Sequence, residues 1–115
     1  MSSRDCARAL GMKMYKLRFA PVFADDLQEL FSYIALTLRE PGAAKRLMKQ
    51  IDTAILRLAE FPEMYPLCPE PLDVLGYRKL TVENYIIVYA VDHAAGTVNL
   101  LRCFYGKQNY LLFFR

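Results

Sequence analysis

The chain has 115 residues, 55% hydrophobic and 23% charged, with a net charge of +3. That is one domain's worth of sequence with enough apolar content to bury a core, which excludes intrinsic disorder and large multi-domain enzymes. No apolar run reaches the ~18 residues of a membrane span, and Cys6, Cys68 and Cys103 match no zinc-ligand spacing.

The charge is unevenly placed. Residues 1–77 carry ten basic and ten acidic residues. Residues 78–115 carry five basic residues (Arg78, Lys79, Arg102, Lys107, Arg115) against Glu83 and Asp92. The whole excess sits in the last third, which favours an anionic partner there. Met1–Met14 is mixed in character and has no secretory pattern. The expectation is a cytoplasmic protein with reduced thiols and no membrane association.

Residues 1–13 show no clean period and read as a flexible leader before a single domain over 14–115. Tyr15–Phe19 alternates and predicts a strand with Tyr15, Leu17 and Phe19 on one face. Pro21 suits the start of a helix, and Asp25, Asp26 and Glu29 suit its N-terminal end. Leu27, Leu30, Phe31, Ile34 and Leu38 form its apolar stripe. Arg39-Glu40-Pro41-Gly42 breaks the helix. A second helix over about Gly42–Glu60 carries the stripe Ala44, Leu47, Met48, Ile51, Ile55 and Leu58, so the two helices form an antiparallel hairpin. A proline-rich loop follows, too apolar for a tether.

The rest is strand-like. Tyr77–Val82 is one strand and Glu83-Asn84 a tight turn. Tyr85–Val91 is apolar on both faces and belongs mid-sheet. Asp92–Thr97 is a hairpin loop with Gly96 available for positive φ. Val98–Tyr105 is the next strand, with Cys103 as a small core residue. Tyr110–Phe114 is a short last strand or tail. The class is α+β: a helical hairpin on one face of a mostly antiparallel sheet of four or five strands, in the order β-α-α-β-β-β(-β).

Standard reactive motifs are missing. There is no GxGxxG, no GxxxxGK[ST] and no HExxH. The single histidine, His93, lies in a turn. Asp25 and Asp26 diverge by about 100° on a helix and suit an N-terminal turn better than metal ligation. No cofactor and no metal are expected. What remains is a cationic and phenolic group at the sheet edge: Arg78 and Arg102, then Tyr105, Lys107, Gln108 and Tyr110. In a regular strand Arg102 shares a face with Val98, Leu100 and Phe104, and Tyr105 goes with Leu101 and Cys103. Arg102 and Tyr105 therefore meet one substrate only if the strand twists or ends there. Otherwise Arg102 is a snorkelling stem and Tyr105 a packed aromatic.

The succession YKLRFAPVFADDLQELFSYI, LAEFPEMYPLCPEP, GYRKLTVENYIIVYAVD and VNLLRCFYGKQNYL resembles the RelE/ParE superfamily of bacterial toxins, over about residues 14–112. The resemblance implies the toxin half of a type II toxin–antitoxin module. It implies one of two activities on one fold. RelE-like members are metal-independent, ribosome-dependent mRNA endoribonucleases, in which the 2′-OH attacks the adjacent phosphorus. ParE-like members inhibit DNA gyrase without chemistry. On the nuclease reading Arg78 matches an arginine that contacts the scissile phosphate. Arg102 would join it in stabilising charge, Tyr105 would act in proton transfer or stacking, and Lys107 in backbone or acid–base support. Lys79, Gln108 and Tyr110 would bind substrate. The closing turn departs from the family pattern, with Tyr105 where histidine is frequent and Gln108 where arginine is frequent.

The nuclease reading needs a shallow cationic hollow on the sheet face away from the helices, with Arg78 and Arg102 converging. The partners implied are a cognate antitoxin covering the helical hairpin or a sheet edge, then the ribosome and mRNA, or alternatively DNA gyrase. Promoter DNA is expected only through the antitoxin.

Overall fold

The computed structural model describes residues 14–70 and 72–106. The leader 1–13, the last strand Tyr110–Phe114 and the candidate residues Lys107, Gln108 and Tyr110 lie outside them. Strand β1 (Lys16–Phe19) leads into helix α1 (Pro21–Ser32), which continues as a π segment (Tyr33–Thr37). Helix α2 (Pro41–Leu58) follows, then strands β2 (Tyr77–Val82), β3 (Tyr85–Asp92) and β4 (Thr97–Tyr105). The sheet order is β1-β4-β3-β2. β1 runs parallel to β4 and the other pairs are antiparallel. The predicted α+β class and helical hairpin hold.

Each helix opens on a proline, Pro21 and Pro41, which is well placed where the amide has no intrahelical partner. Because α1 begins at Pro21, Asp25, Asp26 and Glu29 fall beyond its first turn, so their placement has another cause than the macrodipole. On α2 the predicted stripe is the buried one: Ala44, Leu47, Ile51, Ile55 and Leu58 are in the core and Met48 packs against it. On α1, Leu27, Leu30, Phe31 and Ile34 face the core, whereas Leu38 is exposed. The π segment explains the departure. Its i→i+5 bonding, seen in the Leu38 amide donating to the Tyr33 carbonyl, shifts the phase of the stripe by one residue. Phe23, which the predicted stripe omits, is fully buried and stacks on the half-exposed Phe19. Burying such a side chain contributes about 2–3 kcal/mol.

The sheet is covered on both faces. On the helix side Leu80, Ile87, Tyr89, Val98 and Leu100 meet the helices. On the other side Cys68 and Leu72, from the proline-rich loop, cover Ile86, Val88 and Phe104. The loop also closes the β2 edge: Leu67 bridges Arg78, and the Lys79 amide donates to the Pro66 carbonyl. β3 is the doubly buried central strand that its sequence predicts. Gly96 takes φ +67° in the β3–β4 turn, where the Asp92 carboxylate accepts the Ala95 amide.

One irregularity decides which side chains share a face. Val88 pairs with Arg102, but Tyr89 pairs with Leu100, so Leu101 has no partner on β3. Such a bulge reverses the alternation of everything beyond it.

Candidate functional site

The bulge at Leu101 separates Arg102 from Leu100. Leu100 and Val98 lie on the helix side, while Phe104 lies on the loop side. Arg102 goes with Phe104, its guanidinium carbon 5.1 Å from the ring centroid. The regular-strand expectation, which grouped Arg102 with Leu100, is corrected by this one extra residue.

β1 pairs with β4 only as far as Leu100. Past that point the β4 edge meets α1, and Asp26 occupies it. Arg102 donates through Nε to Asp26 Oδ2 at 2.9 Å and through Nη2 to Oδ1 at 3.2 Å. The Cys103 amide donates to Asp26 Oδ2 at 3.0 Å. The carboxylate thus satisfies a strand-edge amide and a fork-shaped cation together. The hydrogen bond to Asp26 raises the Arg102 pKa further. Burial, with Asp26 nearby, pushes the Cys103 thiol up to about 12.

Arg78 is held elsewhere. It pairs with Tyr89 and so points to the helix side of the sheet. Its Nη1 donates to the Tyr65 carbonyl at 2.7 Å and its Nη2 to Glu63 Oε2 at 2.9 Å. Glu63 Oε1 lies 3.3 Å from His93 Nε2, and His93 Nδ1 lies 2.7 Å from the Tyr15 hydroxyl. Four segments distant in sequence therefore meet in one chain: Tyr15, His93, Glu63, Arg78. Tyr89, in the register row with Arg78, donates its buried hydroxyl to the Pro62 carbonyl, and burial pushes its pKa up to about 12.

Lys79 pairs with Val88, and Val88 with Arg102, so Lys79 and Arg102 share a row on the loop side, about 10 Å apart at two strand spacings. Burial raises the Cys68 thiol, and Lys79 opposes that shift. Tyr105 pairs with Tyr85 on the helix side, edge-to-face at 5.3 Å, and is 58% exposed. It is about 16 Å from Arg78, four residues along and two strands across. The expected hollow with two convergent guanidinium groups is therefore not formed. Arg78 and Arg102 are on opposite faces, each on a carboxylate, and Cys68 and Leu72 fill the loop side.

The tyrosines mark a different concavity. Tyr33, Tyr85 and Tyr105, with Leu30, Leu38, Cys103 and the carboxylates of Asp26 and Glu29, line a groove of about 530 Å³ between α1 and the ends of β3 and β4. Tyr33, Leu38 and Tyr105 are each about half exposed. Among the described residues no group of three or more His, Cys, Asp or Glu could hold a metal ion, and no helix is long and apolar enough to cross a membrane.

Residues 17–110 match the model of the ParE toxin of the type II toxin–antitoxin system parDE. The chain belongs to the ParE toxin family. Several solved structures share its fold, among them three toxin structures. The chain is similar to a ParDE toxin–antitoxin system of P. aeruginosa at 21% identity, covering 82% of this chain and 98% of that one, with TM-score 0.64. It is similar to the RelBE2 toxin–antitoxin complex of Mycobacterium tuberculosis at 24% identity, covering 82% and 93%, with TM-score 0.53. It is similar to a mutant of the E. coli toxin RelE in the free state at 17% identity, covering 87% and 90%, with TM-score 0.54. No curated protein matches it at the sequence level. This ParE-family chain is a toxin of a type II toxin–antitoxin system.

Asp26, Glu63, His93 and Tyr15 are the site residues that sequence reasoning missed. For Asp26 a signal existed. Two adjacent carboxylates that diverge by about 100° send one to solvent and the other toward the sheet. Asp25 is exposed and Asp26 is held on β4. Nothing local marks Glu63 or His93, because their partners are fifteen and more residues away.

Proposed function

We propose that this toxin acts by binding a protein target, DNA gyrase, and not by cutting RNA. The observation that carries this is the separation of Arg78 from Arg102 onto opposite faces of the sheet, each neutralised by its own carboxylate. Phosphoryl transfer without a metal depends on cations preorganised around one phosphate, and two that point apart do not supply that. The Tyr33–Tyr85–Tyr105 groove is suited to a protein ligand, since half-exposed tyrosines give large contact area at low entropy cost. A cognate antitoxin is the second partner, covering that groove in the inactive module.

The test is a gyrase supercoiling assay beside a ribosome primer-extension assay, both with purified toxin. Gyrase inhibition with no ribosome-dependent cuts supports the reading. Arg78→Ala should then retain inhibition within about threefold, because the guanidinium serves the fold. Ribosome-dependent cuts that disappear in Arg78→Ala would overturn it.

One observation favours the nuclease reading: Lys79 and Arg102 occupy one row on the loop side. On that reading Lys79→Ala, more than Arg78→Ala, removes cleavage. Lys107, Gln108 and Tyr110 would complete the site.

A further inference from the structure

The outer surface of the helical hairpin has segregated charge. Helix α1 carries Asp25, Asp26 and Glu29 and no basic residue. Helix α2 carries Lys45, Arg46, Lys49 and Arg57 against the single Asp52. With Asp26 turned to β4, the exposed acidic residues of α1 are Asp25 and Glu29, which share a shallow surface with Leu36, 74% exposed, Glu29 also lining the rim of the tyrosine groove. The outward basic ridge is Arg46, Lys49 and Arg57, at i, i+3 and i+11 on the side opposite the buried stripe. It is about 17 Å long. A shallow concavity of about 430 Å³ runs along it, lined by these cations with Gln50, Thr53 and Ala54. Leu56, 63% exposed, flanks it. Among the described residues no ion pair within 4 Å engages Arg46, Lys49, Arg57 or Asp25, while Glu29 adds its negative charge to the surroundings of Arg102.

We propose that this face docks a second copy of the same chain. With a two-fold axis running along the hairpin between its helices, the acidic helix of each copy lies over the basic helix of the other. One surface then satisfies itself twice, which is the geometry of an isologous dimer. Leu36 and Leu56 supply apolar contact. A polyanion fits less well. The acidic ridge lies one helix diameter, about 10 Å, from the basic one, and that is about one Debye length at ~0.1 M salt, so it opposes any nucleic acid that the basic ridge attracts, most strongly at low salt.

The footprint is about 27 Å by 20 Å, the length of α2 by two helix diameters. That is below the ~800 Å² per partner of a standard interface. The dimer is therefore weak, reversible and salt-sensitive, with the charges setting pairing and orientation more than affinity.

The experiment is sedimentation velocity on the full-length chain across salt and concentration, with reversed-charge variants. Wild type should dimerise at low salt, with a dissociation constant at least about tenfold higher at high salt. The triple variant Arg46→Glu, Lys49→Glu, Arg57→Glu should be monomeric. So should the double variant Asp25→Lys, Glu29→Lys. Mixed, these two should form a heterodimer, and a chain carrying all five changes should dimerise with itself again. All the changes are at exposed positions, and circular dichroism melts check folding. A wild type that stays monomeric at low salt and high concentration overturns the proposal. So does a dimer that ignores charge reversal, or a basic ridge whose only measured effect is retention on heparin.

Discussion

Asp26 holds Arg102 in a two-pronged ion pair and, with the same carboxylate, caps the amide of Cys103. The aspartate is on the first helix and the arginine is 76 residues later on the last described strand. Their contact fastens α1 to the part of β4 that β1 does not reach. Removing one partner takes a two-pronged, charge-assisted contact from the other, partly buried side chain. Asp26→Ala should therefore destabilise the fold by about 2–3 kcal/mol, read from urea denaturation. The double variant Asp26→Ala, Arg102→Ala should cost less than the sum of the single changes. Strict additivity would show that the pair contributes nothing as a pair.

The Tyr15–His93–Glu63 end of the second network is exposed. His93→Ala should change stability by less than about 1 kcal/mol, as the loss of exposed side-chain contacts does. A loss comparable to that of Asp26→Ala would mean that the His93 contact anchors the loop.

Stability at alkaline pH should fall in a defined window. Burial raises Tyr89 from 10.0 and Cys103 from 9.0, each to about 12. Both groups are neutral when protonated, and the unfolded chain releases these protons first. Their contribution is complete below pH 9 and is lost as pH rises from about 9 to 12. For Tyr89 the rise from 10.0 to about 12 corresponds to about 2–3 kcal/mol. Tyr89→Phe should flatten the upper part of the profile, and an unchanged profile would assign the loss to other groups.

The same burial makes the two described thiols slow nucleophiles. In a Cys6→Ser background, native protein at pH 8 should react with iodoacetamide at least about tenfold more slowly than urea-unfolded protein, since the thiolate is the reacting form. Equal rates would place Cys68 or Cys103 in an open environment.

Tyr105→Ala and Tyr33→Ala should each weaken antitoxin binding by about tenfold or more, measured by calorimetry, because buried tyrosines concentrate binding energy. Both are exposed in the free chain, so their melting temperatures should change little.

The helices, the succession of strands along the chain and most of the core were legible in residue order alone. They arise from local periodicity: the α2 stripe from Ala44 to Leu58 and the doubly apolar β3 can be read directly because burial and repeat length act within one element. Residue order also carried the resemblance to the RelE/ParE toxins that the family match bears out. Which cations face each other is instead a product of long-range packing. A single unpaired residue, Leu101, and five residues of π geometry each shift the phase of the side chains beyond them. Neither leaves a mark in residue type, because a bulge or a π turn is stabilised by contacts with other elements. The partners of Arg78 and Arg102 likewise come from loops and helices far along the chain. A charged side chain takes the carboxylate that folding brings near it, and spacing along the sequence does not encode that proximity.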